Sequence, residues 1–397
     1  MSKSTSNHSR FGYALILGSL AALGPLCTDL YLPALPQLAS ELSTSTATAQ
    51  FSLTAGLLGL GFGQLIFGPL SDKRGRRGPL LWSLIMLLLT SAWCALASDI
   101  GQLIIARLLQ GIAGAGGAVL SRAVARDLYA GHELTRFFTL LMLVNGLAPI
   151  LSPVLGGALM TLTNWRGIFV TLTLIAILLL LMSALRLPET LPAKRRIDGG
   201  IGAMLASLGS LLQARQFMGL CLTQGFSGAG MFAYIGGSPF VLQEIYGLSP
   251  QAFSLCFAVN SVGLIIAGQL AERLCRRWGE NGVLRLGLGI AIVASLVLAL
   301  AGYLHAPLIG ILLPLFLAVS MIGFIGPCAS ALAMQSQGGK AGSASALLGL
   351  SMFALGALSV PLTGLSGGTS ALSMGVVILT CYLLATFCWW RSLHVAN

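Results

Sequence analysis

The sequence predicts an all-α membrane protein, with twelve transmembrane helices in two pseudo-symmetric six-helix halves. Three observations predict it. The 397 residues are 56% hydrophobic and only 8% charged, where soluble chains carry about 25%. The apolar residues gather into runs long enough to cross a hydrocarbon core, which takes roughly 20 helical residues. Finally, a short charged signature at 68–78 returns at 268–278. Alternating ten-residue segments, the mark of a membrane barrel, are absent.

The lead "MSKSTSNHSR" reads as a basic cytoplasmic tail without a cleavable signal. Span one, 11–36, contains "LCTDLYLPALP", which places Asp29 deep in apolar sequence. Span two, 47–71, runs into "GPLSDKRGRRG", with Gly68, Asp72, Gly75 and Arg76. Its glycines suit tight turns and close helix contact. Span three covers 79–98, and span four, 101–123, carries Arg107 and Gln110 three residues apart on one helix face. Span five, 137–162, holds Pro149, Pro153, Gly156 and Gly157. The prolines weaken its hydrogen-bond ladder and the glycines allow close packing, so it is expected to bend, either during a conformational change or as a static kink. Span six covers 166–187.

A polar interruption at 188–215 separates the N-terminal bundle, 1–187, from the C-terminal bundle, 216–397. Its first part reads as loop, and 201–213 suits a short amphipathic helix or a plain tether. Spans seven to twelve follow at 217–243, 250–274, 283–303, 307–335, 341–367 and 370–391. After span eight comes "GQLAERLCRRW", in which Glu272 answers Asp72 and an Arg-Arg pair recurs. Such a repeat implies a duplicated transporter architecture with its site between the halves.

Charge supports the even count of spans. Of 22 Lys and Arg residues, all but Arg107 and Arg166 fall on one side when twelve spans are threaded. The positive-inside rule then makes that side, and both termini, cytoplasmic. The net charge of +11 is thus topology signal and contact with anionic lipid, not a nucleic-acid surface. The eight cysteines are scattered through apolar sequence and read as buried apolar residues, not as a disulfide or metal framework. No metal site, cofactor or ATP-binding loop is expected. No cluster of His, Asp, Ser or Lys suggests an enzyme.

Asp29 lies about 27 Å from the cytoplasmic end of span one, and Arg107 about 9 Å from the other face. Both fall in the outer third of a core about 30 Å thick, so the two are expected to face each other. Asp29 is either a proton carrier or a cap or ion-pair partner. Arg107 cannot deprotonate and either senses Asp29 or is held by backbone carbonyls. Candidate ligand contacts are polar or soft side chains on inner helix faces. These are Gln110, Met142, Asn145, Asn260, Phe324 and the span-seven set Gln224, Ser227, Met231 and Tyr234, which share one face. Any one of them is more often core packing than a ligand contact.

"GPLSDKRGRRGPL" resembles the loop signature of the major facilitator superfamily, G-x-L-x-D-x-x-G-R-R/K. "RLLQG" at 107–111 resembles its R-x-x-Q-G motif, and "GLAPILSPVLGGAL" its antiporter motif, with Ser152 where glycine is usual. "DLYLPALP" and "GSPFVLQEIYGLSPQAF" are similar to the Bcr/CflA group of drug–proton antiporters. The resemblance implies a protein of a bacterial inner membrane that exports small drugs, phenicol- or bicyclomycin-like, against entering protons. Asp29 and Arg107 would couple the proton. It also implies that Asp72 meets helix eleven near Gly342 and that Arg76 pairs with Asp127, which together with Glu272 would gate the cytoplasmic side. Small drugs, protons and membrane lipids are the partners expected, and a monomer is expected. Transport of a natural metabolite, such as a nucleoside or sugar derivative, on the same fold stays open.

Overall fold

The computed structural model describes residues 7–196, 209–335, 341–364 and 370–394. Nine helices among them are long and apolar enough to cross a membrane. One, Pro250–Tyr303, holds spans eight and nine end to end. It turns at Gly279, whose φ of 66° suits glycine. Gly131–Leu159 and Arg215–Phe240 fill spans five and seven. All twelve expected segments are therefore helical.

Span one differs most from expectation. Instead of one helix over 11–36 it runs as Asn7–Ala21, Leu23–Asp29, a 3-10 turn at Leu32–Ala34, and Leu35–Glu41. Proline explains the break. Pro33 has no N–H to return to the carbonyl of Asp29, four residues back, and its ring crowds that carbonyl. The α-helix ends at Asp29 for this reason. Span ten is also divided, into Leu308–Ser320 and Ile322–Gln335.

Polar caps fix the helix ends on the face away from the basic loops. Ser45 accepts from the Thr48 N–H (3.2 Å), Asp99 from Gln102 (2.9 Å), Asn164 from Arg166 (3.1 Å) and Ser249 from Ala252 (3.1 Å). Each satisfies a donor that a helix start leaves without a partner.

Small residues bring spans two and four together. A Cβ on Gly63 would lie 2.6 Å from that of Ala115, and one on Gly59 would lie 2.9 Å from the Ile112 nitrogen. Such glycine contacts let helices associate where lipid offers no hydrophobic drive. Spans one to six pack mainly on one another, as do seven to twelve. The two sets meet through spans two with eleven and five with eight. Of the linker, Ala193–Arg195 forms a 3-10 turn and 209–213 are helical. The rest of the expected 201–213 helix lies outside the described residues.

Candidate functional site

Arg107 is 1% exposed, on span four. Its Nη1 donates to the Cys27 carbonyl of span one (2.8 Å) and to Gln110 Oε1. Gln110 Nε2 donates in turn to Ser91 on span three (2.8 Å). The guanidinium lies over the Tyr31 ring at 4.3 Å and 5.6 Å from the Phe169 ring of span six. Tyr31 shares a hydrogen bond with Ser52 of span two (3.3 Å). Arg107 thus joins four spans. Its Nε and Nη2 have no hydrogen-bond partner among the described residues, and Nη2 rests on Gly56, where a Cβ would come within 3.0 Å.

Asp29 is buried, 6% exposed. The expected face-to-face pairing with Arg107 is absent: no ion pair joins them among the described residues. The helix period explains this. Side chains two apart on a helix point in nearly opposite directions, and Arg107 lies on the ring of Tyr31, two residues on from Asp29. Tyr234 lies on span seven, in the other half. Tyr234 is buried, accepts a hydrogen bond from Asn260 Nδ2 (2.9 Å) and stacks on Phe257 at 5.3 Å.

The other expected contacts separate. Gln224 accepts from Ser330 of span ten (2.7 Å). Ser227 is buried, and its hydroxyl has no hydrogen-bond partner among the described residues. Met231 packs against the core. Phe324 packs against Gly287 of span nine, inside its own half. Met142 and Asn145 are helical, and their side chains lie outside the described residues.

Span five is one helix through Pro149 and Pro153. A Cβ on Gly156 would strike the Leu30 carbonyl, next to Asp29, and one on Gly157 would meet Ser254 of span eight. These two glycines seat span five between the break in span one and the opposite half.

On the basic face, Arg76 is held three ways. Its Nε donates to Asp127 (2.9 Å), and its Nη1 to Asp72 (2.5 Å) and Ser71 (2.7 Å). Burial opposes the guanidinium's charge, but Asp127 and Asp72 prevail and hold its pKa above the ordinary value. Gly75 makes the turn before it, with φ of 95°. The repeat shows the same register: Glu272 and Arg276 pair four residues apart at 3.4 Å, both exposed. Gly68 makes no close helix contact here, since a Cβ would meet nothing within 4 Å.

Several residues were not singled out from the sequence. Glu189 accepts from the backbone N–H groups of Arg76 (2.8 Å), Arg77 (3.2 Å) and Leu191 (2.9 Å), anchoring the linker on the start of span three. Three glutamines join the halves on the face away from the basic loops. Gln50 Nε2 donates to the Gly236 carbonyl and Thr363 Oγ1, both at 2.9 Å. Gln243 donates to Pro33 (3.1 Å) and Gln251 to Gly157 (2.9 Å). An acid between prolines on a basic face, and amides at the ends of apolar spans, were the available signals.

Comparison with known proteins follows this geometry. The family model described as Major Facilitator Superfamily matches residues 17–361. The chain is 44% identical over 371 residues to a Bacillus subtilis protein named Uncharacterized MFS-type transporter YdgK, spanning 93% of this chain and 92% of that one. It is 30% identical over 356 residues to the Bicyclomycin resistance protein homolog of Haemophilus influenzae, spanning 88% of each. A solved bacterial homologue of the human lysosomal transporter Spinster superposes with a TM-score of 0.78 at 18% identity, over 98% of both chains. That likeness is one of fold. The chain belongs to the Major Facilitator Superfamily and is a multi-pass membrane transporter, not an enzyme.

Proposed function

We propose that this protein exports small drugs, phenicol- or bicyclomycin-like, across the bacterial inner membrane in exchange for protons, with Asp29 as the proton carrier. The observation that carries the reading is Asp29 itself: a buried carboxylate at the break in span one, without an ion-pair partner among the described residues. A carboxylate kept in such a place is a functional group by default. The similarity to a bicyclomycin resistance protein homolog supports a drug as cargo.

The halves are taken as 1–187 and 216–397, joined by a cytoplasmic linker at 188–215, with both termini cytoplasmic and the chain acting as a monomer. In this frame the glutamine-laced seam closes the outer face, which leaves the cytoplasmic side for drug entry. Drug entering from that side competes with the proton on Asp29. After the halves rock, protonation from outside displaces the drug, and the neutral carboxyl carries the proton back. One charge moved across 100 mV is worth about 2.3 kcal/mol, enough for a gradient of about fiftyfold. Arg107 stays charged throughout and holds spans one and four in register.

The test is ethidium or chloramphenicol efflux in a pump-deficient strain, with and without a protonophore. Export is expected to collapse with the protonophore. Asp29→Asn is expected to abolish drug-induced proton release in vesicles. Protonophore-insensitive export, or undiminished proton release from the variant, defeats the coupling.

A further inference from the structure

The strongest unassigned feature lies on the lipid-facing side of the second half. A groove of about 790 Å³ runs between span nine and the first segment of span ten, a volume within the range of ordinary ligand sites. Its walls are apolar and face outward, with Val293 61% and Leu317 46% exposed. Gly289 lines it, and a Cβ there would meet nothing within 4 Å. Pro314, buried, lines the facing wall. From Gly282 to Val297 the groove follows span nine for about 22 Å, more than half of a core about 30 Å thick.

One end is different. Trp278 and Arg285 line it beside the turn at Gly279, at the end of span nine nearest the basic loops. Trp278 is 58% exposed, at the depth where tryptophan anchors to headgroups. Arg285 is exposed and has no ion pair among the described residues. Of the acids near this turn, Glu272 is taken by Arg276, and Glu280 forms no ion pair with Arg285. Arg285 lies about 9 Å into span nine, from where its long side chain snorkels to the interface. Arg273 and Arg277 add positive charge to the turn that leads into span nine.

We propose that this groove holds an acyl chain of an anionic phospholipid, whose phosphate is bound by Arg285 beside Trp278. A zwitterionic lipid has the same tail, but its amine meets the Arg285 guanidinium unfavourably, so the site discriminates by headgroup charge. The leaflet that supplies the lipid rests on the topology proposed above and is the cytoplasmic one. The binding itself does not depend on that topology or on drug export.

Native mass spectrometry of the full chain tests this, after reconstitution in vesicles of equimolar dioleoyl phosphatidylglycerol and dioleoyl phosphatidylethanolamine. The wild type is expected to retain phosphatidylglycerol in about fivefold preference, the effect of one basic residue at an anionic surface. Arg285→Gln is expected to bring the two lipids to parity, while Arg285→Lys keeps the preference. Gly289→Phe, which fills the groove, is expected to lose both. An unchanged preference in Arg285→Gln, full lipid retention in Gly289→Phe, or displacement of the lipid by inorganic phosphate alone overturns the proposal. Transport is not measured, so these outcomes are independent of the drug-export reading.

Discussion

Arg107 has five N–H donors in a fixed fork, and the protein employs them unevenly. Nη1 takes two acceptors, while Nε and Nη2 take none. The missing partners are offset by the Tyr31 ring beneath the guanidinium, since a desolvated cation over an aromatic face gains about 2 kcal/mol. A lysine at this position keeps the charge but loses the planar stack and one of the two oriented bonds. Arg107→Lys is therefore expected to lower drug efflux about tenfold or more, as a hydrogen bond to a charged group contributes about 1.5–3 kcal/mol. Initial efflux rates at matched membrane expression check this, and a wild-type rate would show that any cation suffices. At this scale the sequence was partly legible. Asp29 and Arg107 stand out because ions are rare in apolar runs. Tyr31 does not, because tyrosine near a span end is ordinary in membrane proteins. Nor does sequence depth reveal that Asp29 and Arg107 point apart, which depends on helix phase and on where proline ends the helix.

Span two shows how one element serves two tasks along its length. Where it crosses span four, a single methyl group has no room. Gly63→Ala is expected to destabilise by about 1–3 kcal/mol, the usual effect of overpacking, seen as a lower melting temperature in detergent. Gly68→Ala, ten ångströms or less along the helix, faces open space and is expected to melt as the wild type does. A slowed transport cycle in that variant would then report contact in the alternate state. The linker clamps the next element through Glu189. Burial raises its pKa, but the N–H groups of Leu191, Arg76 and Arg77 outweigh this and hold it below the ordinary value. A carboxylate with a depressed folded pKa contributes stability above its unfolded pKa, about 4.3, and loses it as pH falls through the folded value. Melting temperature is expected to drop below about pH 4, with a smaller drop in Glu189→Gln. Equal pH profiles for the two proteins would remove Glu189 from that role. The twelve spans were legible because hydropathy alone sets them. The break in span one was not, because prolines are common inside membrane helices and only some of them end one; that in span ten falls at Met321, with Pro314 and Pro327 both inside helix, so no proline marks it.

For the whole molecule, the repeat was legible as a shared signature, and the matching pairs Asp72–Arg76 and Glu272–Arg276 carry it into three dimensions. The seam between halves was not, because its glutamines lie far apart in sequence and each looks like an ordinary span-end amide. Gln50 is the center of that seam. It is 1% exposed and bonds spans seven and eleven at once, while its own Oε1 has no hydrogen-bond partner among the described residues. Gln50→Leu keeps the volume but removes both bonds and leaves the Gly236 carbonyl and Thr363 hydroxyl to find others. Unmade buried bonds cost about 1–3 kcal/mol. That cost falls only on the state in which this face is closed, because opening the seam gives the same groups to water. The equilibrium is therefore expected to shift about fivefold or more toward the open face. Leu53, fully buried beside Gly236, reports the change. In a background without the native cysteines, Leu53→Cys is expected to react slowly with a membrane-impermeant maleimide added from the face away from the basic loops. Adding Gln50→Leu is expected to speed that reaction by the same factor. An unchanged rate would mean that the helices of the seam hold it shut without the glutamine.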